Sequence, residues 1–158
     1  MRSSYLEQNS GKTNKFKLKY EVISAARTLA EADSGKVFGI NQASAYEITL
    51  PTAAAAGAGW NVKFVLSTVA SNAVTIANNT AEDTIVGMVA GADDGNAGNS
   101  AETAVDEIVF ISGAALGDTV ELFCNGVNFF AKAVCHDVAH VTISVSYTHL
   151  RAHETGRN

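Results

Sequence analysis

Apolar and polar residues alternate along most of this chain with a period of two, the signature of half-buried β-strands. In "KFKLKYEVIS" the alternation places Phe16, Leu18, Tyr20 and Val22 on one face, and in "YEITLP" it groups Tyr46, Ile48 and Leu50. Both are expected to bury those faces. Further strands are predicted in "KVFGIN", "WNVKFVLS" at 60–67, "AVTIA" at 73–77, "DTIVGMVA" at 83–90 and "DEIVFIS" at 106–112. "DTVELFC" at 118–124, "VNFFAKAV" at 127–134 and "VAHVTIS" at 138–144 complete the series.

Turn signals separate these segments every 8–12 residues or so, the spacing of an all-β sandwich or barrel. Asn125-Gly126, between "ELFC" and "VNFF", predicts a tight hairpin with both residues at the centre of a type I′ turn. Other breaks are "DSGK" at 33–36, "SNA" at 71–73, "SGAALGD" at 112–118 and a long polar loop, "GADDGNAGNSAE", at 91–102. Helical spacing is confined to "PTAAAAGAG" at 51–59, where Gly57 stops any helix within two turns. The expected fold class is therefore all-β: an antiparallel, jelly-roll-like sandwich over 16–144, preceded by a flexible arm over 1–15. That arm, "MRSSYLEQNSGKTNK", is too polar to order itself.

Composition narrows the picture. With 158 residues, 47% of them hydrophobic, the chain can bury one sizeable core. No run of eighteen apolar residues predicts a membrane span, and the N-terminus has no apolar signal core. Charge is asymmetric: six basic residues in the first 27 positions face two acids, whereas 31–137 carries thirteen acids against Lys36, Lys63 and Lys132. The lysines of the basic stretch alternate with apolar residues, so they read as the solvent face of a strand. No nucleic-acid partner is expected.

Candidate chemistry is sparse. "CHDVAH" holds Cys135, His136, Asp137 and His140, residue types that zinc favours, but on a continuous strand these four cannot converge without a turn. Asp93 and Asp94 lack the spacing of a calcium loop, and "SGK" at 34–36 lacks that of a phosphate-binding loop. Asp106 and Glu107 are adjacent, so a strand would point them to opposite faces and prevent a working carboxylate pair. The expectation is no catalytic, cofactor-binding or metal site, and no enzyme. Cys124 and Cys135 are too few for a disulfide framework, and whether they pair depends on strand register.

From Thr28 to Ala133 the chain resembles small β-structured virion proteins of tailed bacteriophages. The likeness rests on "TLAEADSGK", "ITLP", an alanine-glycine turn, an aromatic strand, "IVG" and the closing "GDTVELFCNGVNFF". Asn125 stands where that family has Asp, and Phe129-Phe130 where it has Trp-Tyr. The resemblance implies a capsid decoration or head-stabilising protein on the virion surface, assembled in the host cytoplasm. Its partners would be the major capsid protein and further copies of itself, with a trimer as the expected oligomer. The alternative is a tail-fibre or spike module that contacts a host-surface receptor through loops such as 91–102. The arm over 1–27 is expected to clasp an adjacent subunit. The last stretch, "VSYTHLRAHETGRN" at 145–158, breaks the alternation and resembles a translated sequencing adapter, so the natural ending is expected to diverge after Ser144.

Overall fold

The computed structural model describes residues 18–69, 71–79, 84–92 and 100–145, with the backbone alone over 100–104. The arm over 1–15, Asp93 and Asp94, and the tail from 146 onward with His149 and His153 lie outside the described residues.

The described chain is built of β-strands in two sheets. Its first half contains β1 (Tyr20–Ile23), β2 (Arg27–Thr28), β3 (Lys36–Asn41), β4 (Tyr46–Thr49), β5 (Ala58–Thr68) and β6 (Val74–Ala77). The second half contains β7 (Ile85–Gly91), β8 (Ser100–Val105), β9 (Glu107–Phe110), β10 (Thr119–Asn125), β11 (Phe129–Cys135) and β12 (Val141–Ser144). The larger sheet has the order β1-β3-β5-β10-β11-β7-β8, and the smaller one β12-β9-β6-β4-β2.

The expectation of antiparallel sheets is corrected: both sheets are mixed. β1, β3 and β5 run parallel to one another, as do β2, β4 and β6, and β11 runs parallel to β7. The cause is the order in which the chain visits the sheets. From β1 to β6 it alternates strictly between them, so each return to a sheet follows a full turn and re-enters in the same direction. Hairpin pairing occurs in the second half, at β10–β11 and β7–β8, where consecutive strands stay in one sheet.

One buried cluster draws on both sheets. Phe38, Phe64, Phe129, Ile40 and Leu66 come from the larger sheet, and Ile48, Val74, Ile76, Ile108 and Phe110 from the smaller. Phe38 and Phe64 stack with centroids 5.7 Å apart, and Trp60 meets Phe129 edge to face at the same distance. The sheets come close at Gly87, where a Cβ would lie 2.8 Å from Cδ1 of Ile143 on β12.

Three local expectations change. In β1 the face bearing Leu18, Tyr20 and Val22 is exposed and Ile23 is the buried residue, because the opposite side of the strand meets the core. The stretch 20–27 pairs within its own chain, β1 with β3 and β2 with β4. The loop at 91–102 is shorter than expected, since β8 begins at Ser100. "VAHVTIS" is not one strand: a 3-10 turn over Val138–His140 precedes β12.

The single predicted helical segment is one turn, α1 (Ala53–Ala56), with Thr52 Oγ1 accepting from Ala55 N. The hairpin closes one residue later than expected. Asn125 N donates to Asn128 O, which puts Gly126 and Val127 at the centre and leaves Asn125 as the last residue of β10. Gly126, at φ 92°, supplies the positive dihedral the turn needs, and Asn125 Oδ1 accepts from the N–H groups of Val127 and Asn128.

Candidate functional site

Two polar constellations stand out, the first around Asp33 and Lys36 and the second around Asp118. The first is a closed ring of alternating charge. Arg27 pairs with Glu21 and with Asp33 (3.1 Å), and Lys36 pairs with Asp33 (2.5 Å) and Glu21 (3.3 Å). The ring ties β1, β2 and the entrance of β3 together. The turn that makes it possible is "ADSGK": Asp33 Oδ2 accepts from Ala30 N at 3.0 Å, and Gly35, at φ 78°, donates its N–H to Asn61 O. Burial would raise the Asp33 carboxyl, but the Lys36 ammonium, the Ala30 N–H and the Arg27 charge hold it below its ordinary value. Arg27 and Lys36 both lie over the ring of Phe38, at 5.2 and 5.8 Å from its centroid. Lys36, the first residue of β3, is thus engaged by two carboxylates and a ring face.

The second constellation centres on Asp118, which is fully buried at the start of β10. Its Oδ1 accepts from His136 N at 2.8 Å and from His136 Nδ1 at 2.7 Å. Its Oδ2 accepts from Ala115 N and His140 Nδ1, both at 2.7 Å. An ionised carboxylate only accepts, so both imidazoles must donate from Nδ1, which leaves each Nε2 as the available ring nitrogen. Burial pushes the Asp118 carboxyl upward, but the side-chain and backbone donors of His136, with Ala115 and His140, outweigh it and hold the group below its ordinary value.

Two of the four "CHDVAH" residues converge, and they do so through a turn, as the strand argument required. β11 ends at Cys135, Asp137 Oδ1 caps the following 3-10 turn by accepting from Ala139 N, and the turn swings His140 round to the carboxylate that also holds His136. Asp137 and Cys135 do not join them. Asp118 itself carried no motif signal in the sequence beyond a Gly-Asp pair entering a strand.

A hollow of about 220 Å³ lined by Gly117, Asp118, Val134, Cys135, His136 and Ala92 opens beside the cluster. His136 is 64% exposed there and His140 only 18%. An Asp–His pair with a solvent-facing Nε2 is a general-base arrangement, which needs a nucleophile or a substrate proton to act on. The adjacent thiol does not serve: burial and the charges of Asp118 and Asp137 push Cys135 up to about 12, so it stays protonated. Among the described residues no group of three or more His, Cys, Asp or Glu side chains is arranged to hold a metal ion. One carboxylate joins the loop before β10, the end of β11 and the turn into β12.

Other candidate residues stay apart. Asp106 is buried just before β9, whereas Glu107 is half-buried and accepts from Ser144 Oγ at 2.9 Å. Cys124 and Cys135 are both free. They lie toward opposite ends of the β10–β11 hairpin, with Cys124 opposite Phe129 and Cys135 one residue beyond the Thr119–Val134 pair. That is about 20 Å along the strands, far beyond disulfide reach.

The remaining surface feature is the outer face of the larger sheet. A cross-strand row of side chains runs Tyr20, Val37, Lys63, Glu121, Lys132, Met88, with Lys63 Nζ bonded to Glu121 at 2.9 Å. On one side of it Phe123 and Phe130 stand opposite each other, and on the other Val22, Val65 and Val134 share the face. A trough of about 360 Å³ crosses these strands between Leu18 and Phe130. Comparison of the chain with protein-family models, curated proteins and solved structures found no match.

Proposed function

We propose that this chain is a structural, non-enzymatic component of a tailed-phage virion: a head-decoration or head-stabilising protein that binds the major capsid shell as an oligomer, in its simplest form a trimer. The observation that carries this reading is the use to which the motif residues are put. Asp33, Gly35 and Lys36 of the first motif close the ionic ring, and Asp118, Asn125 and Gly126 of the last one pin and turn the hairpin. Each builds scaffold, as expected of a protein whose work is to be a stable block in an assembly. In this reading the two sheets are the layers of a sandwich, and the parallel winding of β1–β6 sets it apart from an all-antiparallel jelly roll.

The test is co-sedimentation of the chain with empty shells assembled from the major capsid protein encoded beside it. Binding that saturates at a fixed ratio to shell subunits is expected. Binding to host cells or their glycans, with none to shells, would overturn the reading in favour of a tail-fibre or spike module.

A further inference from the structure

Seven of the eleven large apolar side chains that are exposed among the described residues lie on one surface, the outer face of the seven-stranded sheet. They are Leu18 (70% exposed), Tyr20, Val22, Met88, Phe123, Phe130 and Val134. Such a concentration on one surface, rather than single apolar side chains scattered over the molecule, is the mark of an interaction site.

We propose that this face is covered by a second copy of this chain. Pairing of like faces is a two-fold contact, so it adds a dimeric contact to the self-association in the reading above and rests on that self-association. Charge is the argument for a like partner. The chain carries a net charge of −5, so most surfaces of two copies repel. Across the cross-strand rows of this face the charged residues are Lys63, Glu121 and Lys132, two cations and one anion. Lys63 and Glu121 neutralise one another and Lys132 leaves a single positive charge, so two copies repel less across this face than their net acidic charge would give elsewhere.

The anatomy fits as well. Aromatic and methionine side chains are enriched at interface centres, and here Phe123 and Phe130 flank the row holding Tyr20 and Met88. The Lys63–Glu121 pair lies within that apolar field, and Lys132 has no ion-pair partner among the described residues. The one carboxylate it could meet on the same face of a facing copy is Glu121, which would then be shared with Lys63. Gly39 contributes by absence: a Cβ there would lie 2.0 Å from the Tyr20 hydroxyl, so glycine lets the tyrosine lie against the sheet. That keeps the face low enough for close approach.

The experiment is sedimentation velocity on the full chain from about 1 to about 100 µM. The wild-type chain is expected to convert from monomer to oligomer across this range. Phe123→Ser and Phe130→Ser, each checked for native circular dichroism, should weaken association at least tenfold. Val127→Ser and Leu116→Ser, at exposed positions off the face, should leave it unchanged. Met88→Glu serves as an independent disruptor should either phenylalanine variant misfold. A monomer at every concentration, or an oligomer indifferent to Phe123, Phe130 and Met88, overturns the proposal and leaves the face to a different partner. Self-association that persists while shell binding fails would sink the virion reading and leave this one standing.

Discussion

The two faces of the seven-stranded sheet are both rich in apolar residues, yet they do opposite things. On the inner face Phe38, Ile40, Phe64, Leu66 and Phe129 are covered by the smaller sheet and its connections. On the outer face Phe123, Phe130 and Met88 are chemically similar and lie open, at 43–49% exposure. The strands are the same, so the difference lies in what is laid over them. Hydrophobicity alone does not say which side of a strand is the inside, and here the described residues cover one apolar face and leave the other open.

That contrast is open to attack by mutation, and the inner face should give the largest effects. Phe64→Ala, which empties a fully buried ring site stacked on Phe38, is expected to cost about 3–5 kcal/mol in urea unfolding. Asp118→Ala should follow at about 3 kcal/mol, because it strands the buried N–H groups of Ala115 and His136 and both imidazole donors. Gly87→Val, at the point where Ile143 of the other sheet approaches, is expected to cost about 1–3 kcal/mol through overpacking. Phe123→Ser on the outer face should change monomer stability by no more than about 0.5 kcal/mol. A large loss there would mean that the outer face is part of the monomer's own stability after all.

Acid sharpens the picture of the Asp118 cluster. Its carboxyl is held below the ordinary value of 3.8 in the folded chain, so the unfolded chain binds the proton more readily. The stabilisation is fully present above about pH 5 and is lost as the pH falls through the lowered folded value. Asp33 and Glu21 shift in the same direction and act in the same window. Asp118→Asn should therefore flatten, without abolishing, the decline in melting temperature between about pH 5 and pH 2. An unchanged acid profile would show that the histidine contacts do not favour the ionised carboxyl.

Much of this architecture was legible in the sequence, where alternation and burial coincide. In β5, β10 and β11 the period-two pattern matches the observed inside and outside, and the Asn125–Gly126 region does turn the chain. The failures share a cause. Alternation specifies that a strand has two faces, not which one is covered, and in β1 the aromatic and aliphatic face turned out to be the open one. Periodicity is equally silent on strand partners, so parallel winding between two sheets was invisible and the antiparallel expectation followed from the one hairpin signal available. β2, two residues long, and β8, which begins in a polar stretch, carry too little pattern to register. The Asp118 cluster was hidden because its three side chains come from positions 118, 136 and 140, and only a capped 3-10 turn joins them. The ionic ring was half visible: "DSGK" announced the turn, but not the partners Glu21 and Arg27.

The most direct test of the assembly surface is the oxidation rate of Met88, read by mass spectrometry after brief hydroxyl-radical exposure of the full chain at low and high concentration. Met88 is half exposed on β7, toward the β8 edge of the outer face, whereas Val127 at the hairpin tip is more exposed and lies off it. Burial of the outer face between copies predicts that Met88 oxidation slows severalfold as concentration rises while Val127 is modified at a constant rate. Equal modification of Met88 at all concentrations would contradict it.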